Sequence, residues 1–331
     1  MKVTEHLARA EHPLISFEII PPLRGGDVKA LLGLIDDLVK YRPPFIDITS
    51  HAAEVMYEET PQGAIQRRVK RKRPGTLGVC ALIQNKYNID AVPHILCQGF
   101  TREETEDFLI ELKFLGIDNV LAVRGDDSGY QKPLQFGRSA NQYAVDLVRQ
   151  IAAMNRGRYL EEDLLDAQPS SFCVGVGGYP EKHFEAPNLR VDVRRAKEKV
   201  DAGADYIVTQ MFFDNRHYFA YVDACREQGI QVPIIPGLKI LSTKNQLAAI
   251  PRNFYVEVPA DFADEVMAAP PDQVLDVGVE WAHRQVEELL AHGVTSVHFY
   301  VMQSATAIKR LMAKLKLVAP MPAIPLSAPR K

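Results

Sequence analysis

The stretch Lys199-Val200-Asp201-Ala202-Gly203-Ala204-Asp205-Tyr206-Ile207-Val208-Thr209-Gln210 carries a charged, amphipathic segment into a glycine and then, three residues later, into a run of aromatic and β-branched residues. A glycine just past a helix end takes the left-handed conformation that closes the last turn, so this is an αβ joint. Joints of the same design stand at Leu115-Gly116-Ile117, Gln228-Gly229-Ile230 and His292-Gly293-Val294. Helices that return in this way to strands imply βα units around a parallel sheet.

Working outward from these joints, short apolar runs rich in β-branched residues recur at residues 14–20, 45–49, 91–95, 119–123, 172–177, 206–209, 232–235 and 296–301, separated by longer amphipathic stretches. Eight strands joined this way predict an α/β fold, the (β/α)8 TIM barrel. The competing doubly wound sheet needs a glycine fingerprint for phosphate after its first strand. None stands there. Gly175-Val176-Gly177-Gly178 is followed by Tyr179-Pro180-Glu181 instead of a helix start, so these glycines read as a strand end approached closely by a ligand or another backbone.

Length alone, 331 residues, leaves one domain or two open. The strands assign residues 1–317 to a single barrel and residues 318–331, with Pro320, Pro322, Pro325 and Pro329, to a proline-rich tail. An appended regulatory domain has no room, so feedback control through one is not expected. A chain 47% apolar and 24% charged buries a core without disulfides or metal clips. A net charge of −3 gives no basic field for nucleic acid or an anionic membrane. No apolar run approaches the roughly 18 residues of a membrane span, and Met1-Lys2-Val3-Thr4-Glu5-His6 lacks a signal-peptide core, so a cytoplasmic location is expected. Cys80, Cys97, Cys173 and Cys225 lie far apart without metal-ligand spacing and read as reduced, mostly buried thiols, with no metal site. Oligomeric state stays open, a homo-oligomer included.

Residues 57–88 break the pattern. Gln66-Arg67-Arg68-Val69-Lys70-Arg71-Lys72-Arg73 holds six cations in eight residues and reads as a solvated helix end, with anion binding as the alternative. Pro74-Gly75 then interrupts before another helical stretch.

In such a barrel the functional groups sit at the C-terminal ends of the strands. The first strand holds Ser16-Phe17-Glu18-Ile19-Ile20, and a carboxylate among apolar neighbours costs several kcal/mol to ionise unless paired, which raises its pKa. Glu18 is therefore a candidate general acid, an ion pair inside the mouth being the structural alternative. Polar groups end other strands: Asp47-Ile48-Thr49-Ser50-His51, Pro93-His94, Arg124-Gly125-Asp126-Asp127, Thr209-Gln210 and Tyr300-Val301-Met302-Gln303. The mixed loop Gly178–Pro187 leads into a helix and suits ligand contacts. Its His183, with His217 further on, lacks metal spacing, so hydrogen bonding to a cofactor is the better reading.

At these residues the chain resembles the flavin-dependent methylenetetrahydrofolate reductase family. The matching stretches are Ser16–Pro22, Pro93-His94, Leu121–Asp126, Tyr179–Ala186, Lys199–Asp205 running into Thr209–Asp214, Ile235-Pro236-Gly237 and His298-Phe299-Tyr300, in family order. The resemblance implies a (β/α)8 barrel holding FAD, which passes a hydride from NADH or NADPH to 5,10-methylenetetrahydrofolate and yields 5-methyltetrahydrofolate for methionine synthesis. It further implies Glu18 as the general acid, Asp126 between flavin and folate, and Gln210 and Tyr300 on the substrate. FAD contacts carry over to Thr49, His94, Arg124, Gly125, Asp126, Tyr143, Ala144, Tyr179, His183, Ala186, Asp192 and Lys199.

The sequence departs from the commoner family pattern in several places. Ser50-His51-Ala52-Ala53-Glu54 stands where a Tyr-Gly-Ala run is usual, Ile95-Leu96-Cys97 where Leu-Thr-Cys is usual, and Gln303-Ser304 where an Asn-Arg pair is usual. The last change implies that a basic contact is lost or supplied elsewhere, the basic segment being one source. Two rival readings are a flavin-free folate barrel that transfers a methyl group to a corrinoid protein, and a non-catalytic folate- or flavin-binding subunit. Glu18 argues against the second, because a mere binder has no use for a costly carboxylate in an apolar strand.

Overall fold

The computed structural model describes residues 1–126, 130 and 132–315; Asp127 and the tail assigned to residues 318–331 lie outside the described residues. In chain order the strands are β1 (Leu14–Ile19), β2 (Phe45–Ile48), β3 (Glu54–Glu59), β4 (Ile65–Lys70), β5 (Asp90–Leu96), β6 (Asn119–Val123), β7 (Cys173–Gly178), β8 (Tyr206–Thr209), β9 (Ile234–Ile235), β10 (Gly237–Leu238) and β11 (Ser296–Met302). The helices are α1 (Val3–Ala8), α2 (Val28–Leu38), α3 (Thr76–Leu82), α4 (Arg102–Phe114), α5 (Ala144–Met154), α6 (Leu189–Asp201), α7 (Asn215–Glu227), α8 (Gln246–Phe254), α9 (Ala260–Ala268), α10 (Val274–Ala291) and α11 (Thr306–Leu315).

Nine strands pair in the order β10-β11-β1-β2-β5-β6-β7-β8-β9, all in parallel. β9 and β10 are two halves of one strand split at Pro236, which has no N–H to give to a ladder. On one side Ile235 pairs with Val208, and on the other Gly237 pairs with His298, while the Pro236 carbonyl accepts the His298 N–H at 2.9 Å. The sheet thus closes through eight strand positions into the expected barrel.

The glycine joints are as read. Gly116, Gly203, Gly229 and Gly293 have φ of 68°, 121°, 76° and 81°. The next residue in each case, Ile117, Ala204, Ile230 or Val294, donates its N–H to the carbonyl five residues earlier at 3.0 or 3.1 Å, the bond that closes a helix on a left-handed glycine. At the other helix end α4 opens on a capping box, with Thr101 Oγ1 accepting from the Glu104 N–H and Glu104 returning to the Thr101 N–H.

Inside the barrel Phe45, Val92, Leu121, Cys173, Tyr206, Val208 and Ile235 form one apolar cluster, plugged at the base by Val3 of α1. A larger cluster fills the layer between strands and helices. All four cysteines are free and buried. The β7 glycines serve neighbouring side chains more than a backbone: a Cβ on Gly175 would lie 2.3 Å from the Tyr206 ring and one on Gly178 2.6 Å from the Tyr221 hydroxyl. Gly177 alone is open, its nearest neighbour being the Tyr179 hydroxyl at 3.7 Å.

The basic segment is not a helix end. Residues 65–70 form β4, an exposed strand that pairs antiparallel with β3. The β-branched Ile65 and Val69 favour an extended chain, and Thr60-Pro61-Gln62-Gly63, with Gly63 at φ 78°, supplies the turn. Glu58 and Glu54 on β3 pair with Lys70 and Lys72. The helical stretch expected after Pro74-Gly75 is α3.

Candidate active site

Register brings the polar residues together. Glu18 on β1 pairs with Asp47 on β2 and with Tyr300 on β11, so their side chains share the inner face, and Asp47 pairs with Val92, two residues before His94. His94 Nε2 lies 3.5 Å from Glu18 Oε2 and 3.6 Å from Asp47 Oδ2. Asp47 is fully buried, and neither of its oxygens has a hydrogen-bond partner among the described residues. One layer lower, Ser16 Oγ and His298 Nδ1 are 2.8 Å apart.

Burial governs the protonation of this cluster. It raises the Glu18 carboxyl from 4.5 to about 7, against the pull of His94 and Lys239 and with the push of Asp47. Burial also lifts Asp47 well above the usual carboxylate range, and it lowers His94 and pushes His298 down to about 3. Near neutral pH Glu18 is therefore still partly protonated, beside imidazoles whose charged form burial disfavours, as a proton donor requires.

Tyr300 donates its hydroxyl proton to the Thr209 carbonyl at 2.5 Å. Just beyond it β11 carries a bulge: Glu18 pairs with Tyr300 but Ile19 pairs with Met302, which has φ 68°. Such an extra residue re-aims the strand at its functional end. Gln210 follows β8, is half-buried, and turns its side-chain oxygen to the Met211 N–H at 2.9 Å.

A second group lies across the mouth. Arg124, after β6, holds Glu185 through two bonds of 2.7 and 3.0 Å. Glu185 also donates its N–H to His183 Nδ1, and the His183 N–H goes to Asp192 on α6 at 3.1 Å. Tyr179 packs edge-on against His183 at 4.7 Å. Lys199, lowered to about 8 by burial, donates to the Gly177 carbonyl at 2.5 Å. Ala186 is buried; Tyr143 is exposed at the start of α5, where Ala144 is the first helical residue, and its hydroxyl is within electrostatic reach of Arg124. Gly125 has φ 88°, and exposed Asp126 exerts its charge on both His51 and Tyr179, placing it between the two groups.

The structure thus gathers Glu18, His94 and Tyr300 at the centre, with Thr49 at the end of β2, and Arg124, Tyr179, His183, Asp192 and Lys199 along one rim. Three participants went without a role in the sequence. Asp47 was visible only as one polar strand end among several. His51, in the loop that departs from the family pattern, is half-buried with its Nδ1 unpartnered among the described residues. Lys239, directly after β10, donates to the Tyr300 carbonyl at 2.8 Å. Its signal was a lone cation at the end of the apolar run 232–238. Among the described residues no group of three His, Cys, Asp or Glu could hold a metal ion, and no helix is long and apolar enough to cross a membrane.

Fold and site together define a (β/α)8 barrel with two carboxyls raised by burial at the C-terminal mouth and an arginine–histidine–lysine rim beside them. The family model for methylenetetrahydrofolate reductase matches residues 2–316, and the chain belongs to that family. It is 31% identical over 327 residues to methylenetetrahydrofolate reductase 1 of Schizosaccharomyces pombe, covering 96% of this chain and 49% of that protein. Against 5,10-methylenetetrahydrofolate reductase of Escherichia coli K12 it is 29% identical over 294 residues, covering 88% of this chain and 86% of that protein. The chain spans about half the length of several of these relatives. Among solved structures, a Clostridium thermocellum protein that binds two copies of 5-methyl-5,6,7,8-tetrahydrofolic acid has a TM-score of 0.55 at 12% identity, covering 95% of this chain and 97% of that one, a likeness of fold.

Proposed function

We propose that the chain is the FAD-dependent catalytic barrel that reduces 5,10-methylenetetrahydrofolate to 5-methyltetrahydrofolate with NADH or NADPH, in the cytoplasm, supplying methyl groups for methionine synthesis. The observation that carries the reading is Glu18, held protonated up to about pH 7 at the mouth of a barrel of this family. The folate ring amine is a poor leaving group until protonated, so a neutral acid at that place is what the reaction requires.

The mouth suits FAD. Buried Thr49 Oγ1 and His51 Nδ1 lack partners among the described residues, and the Gly177 face is open beside Tyr179. Arg124, His183, Asp192 and Lys199 would hold the cofactor along the rim, with Gly125, Tyr143, Ala144, Tyr179 and Ala186 as close neighbours and His94 and Thr49 at the centre. FAD, when bound, supplies the hydride relay between nucleotide and folate. Glu18 gives its proton to the ring nitrogen, Asp126 orients the pterin, and Gln210 and Tyr300 bind the substrate.

Purified protein should be yellow, with an absorbance band near about 450 nm that bleaches with NADH or NADPH and returns with methylenetetrahydrofolate. A colourless protein that turns over folate would favour the flavin-free methyltransferase reading instead.

A further inference from the structure

Lys239 follows β10, the half-strand that closes the barrel against β11. Its ammonium bonds the carbonyl of Tyr300 at 2.8 Å, and Tyr300 is the residue in register with Glu18. The groups that face Glu18 are Asp47 from β2, His94 from β5, Tyr300 from β11, and Lys239, with His298 one layer lower acting on His94. Burial lowers both imidazoles and raises Asp47, so it disfavours the charged form of all three. Of these groups Lys239 is the one that carries a positive charge near neutral pH. It is itself lowered only to about 8, and Glu18 acts on it in return. The basic segment spends its charge elsewhere, Lys70 and Arg68 of β4 on Glu58 and Arg71 just beyond it over the Phe100 ring.

We propose that Lys239 is a positioning residue for proton transfer, its ammonium stabilising the carboxylate left on Glu18 once the proton has gone to the substrate. The inference rests on the reading of Glu18 as proton donor. In that step the Glu18 O–H bond breaks and an N–H bond forms on the ring nitrogen. The bond from that nitrogen to the methylene carbon then breaks, its electron pair staying on nitrogen. One negative charge is left on Glu18 in a site that disfavours it, and a fixed cation at the paired strand end offsets that penalty. Lys239 also anchors the end of β11 through the Tyr300 carbonyl, so the counter-charge and the substrate-binding tyrosine are fixed together.

The test is a titration that needs no turnover: the side-chain carboxyl signal of Glu18 in uniformly 13C-glutamate-labelled holoenzyme, assigned by its loss in E18Q. In K239Q, which keeps a donor for the Tyr300 carbonyl, and in K239M, the Glu18 midpoint should rise by about one unit. In K239R it should stay near that of the wild type. An unmoved midpoint in either neutral variant, or an equal rise in K239R, overturns the proposal. The donor reading is tested separately by folate reduction in E18Q: if that reaction is unimpaired while the midpoint shifts, Lys239 couples to Glu18 but has no proton transfer to serve, and the proposal falls.

Discussion

Replacing Glu18 by glutamine should make the protein more stable in alkali while disabling it. In the folded chain burial raises this carboxyl from 4.5 to about 7. Between those values the folded state binds more protons than the unfolded one, so stability falls as pH rises through the window, and the full penalty is present above pH 7. At about 1.4 kcal/mol per unit the penalty is roughly 3 kcal/mol, a large part of the net stability of a typical domain. Glutamine has the same shape and no charge to desolvate. Denaturant unfolding at about pH 5 and pH 8.5 measures the effect, provided each transition is a single step. Groups remote from Glu18 titrate alike in both proteins, so the difference between the two curves reads Glu18 together with its coupling to Asp47, His94 and Lys239. Because pH 5 already lies within the window, the variant should gain roughly 2.5 kcal/mol on the wild type between the two pH values. Parallel losses of stability in both proteins would refute the argument that a carboxyl raised by burial stands at this strand end.

Other perturbations follow from the same geometry. Asp126→Ala should change the reduction potential of the bound flavin and weaken folate binding; spectroelectrochemistry and a folate titration that both read as wild type would remove it from that role. Arg124→Leu breaks the two bonds to Glu185 and should weaken FAD retention by about tenfold or more, read by fluorescence titration of apoprotein, with unchanged affinity counting against the rim as the cofactor site. Gly278→Ala would set a Cβ 1.8 Å from the Leu241 carbonyl oxygen, backbone that cannot step aside, and should cost about 3 kcal/mol or more. An unchanged unfolding midpoint would show that α10 does not pack this closely.

What the sequence disclosed follows from where information is local. A helix stop is written in two or three residues, so Gly116, Gly203, Gly229 and Gly293 disclosed the barrel's joints. Glu18 was conspicuous because a charge among Phe17, Ile19 and Ile20 conflicts with its surroundings. Strand β4 was misread since both its faces are exposed, and a strand without a buried face shows its alternation only weakly beside so many cations. Lys239 was silent because its partner is the carbonyl of Tyr300, 61 residues away, and the strand leading to it is split by Pro236. Likewise, the isolation of Asp47 appears only when β1, β2 and β5 stand in register.

The most direct test of the central claim is a pair of single-turnover measurements on wild type and E18Q: bleaching of the bound flavin by NADH or NADPH, and its return with methylenetetrahydrofolate, across pH. In the wild type the folate half-reaction should hold steady in acid and fall off above about 7, where Glu18 loses its proton. In E18Q it should be slower by about a hundredfold or more, while the nucleotide half-reaction stays nearly intact. Equal loss in both half-reactions, or a folate half-reaction in E18Q as fast as in the wild type, would contradict the account.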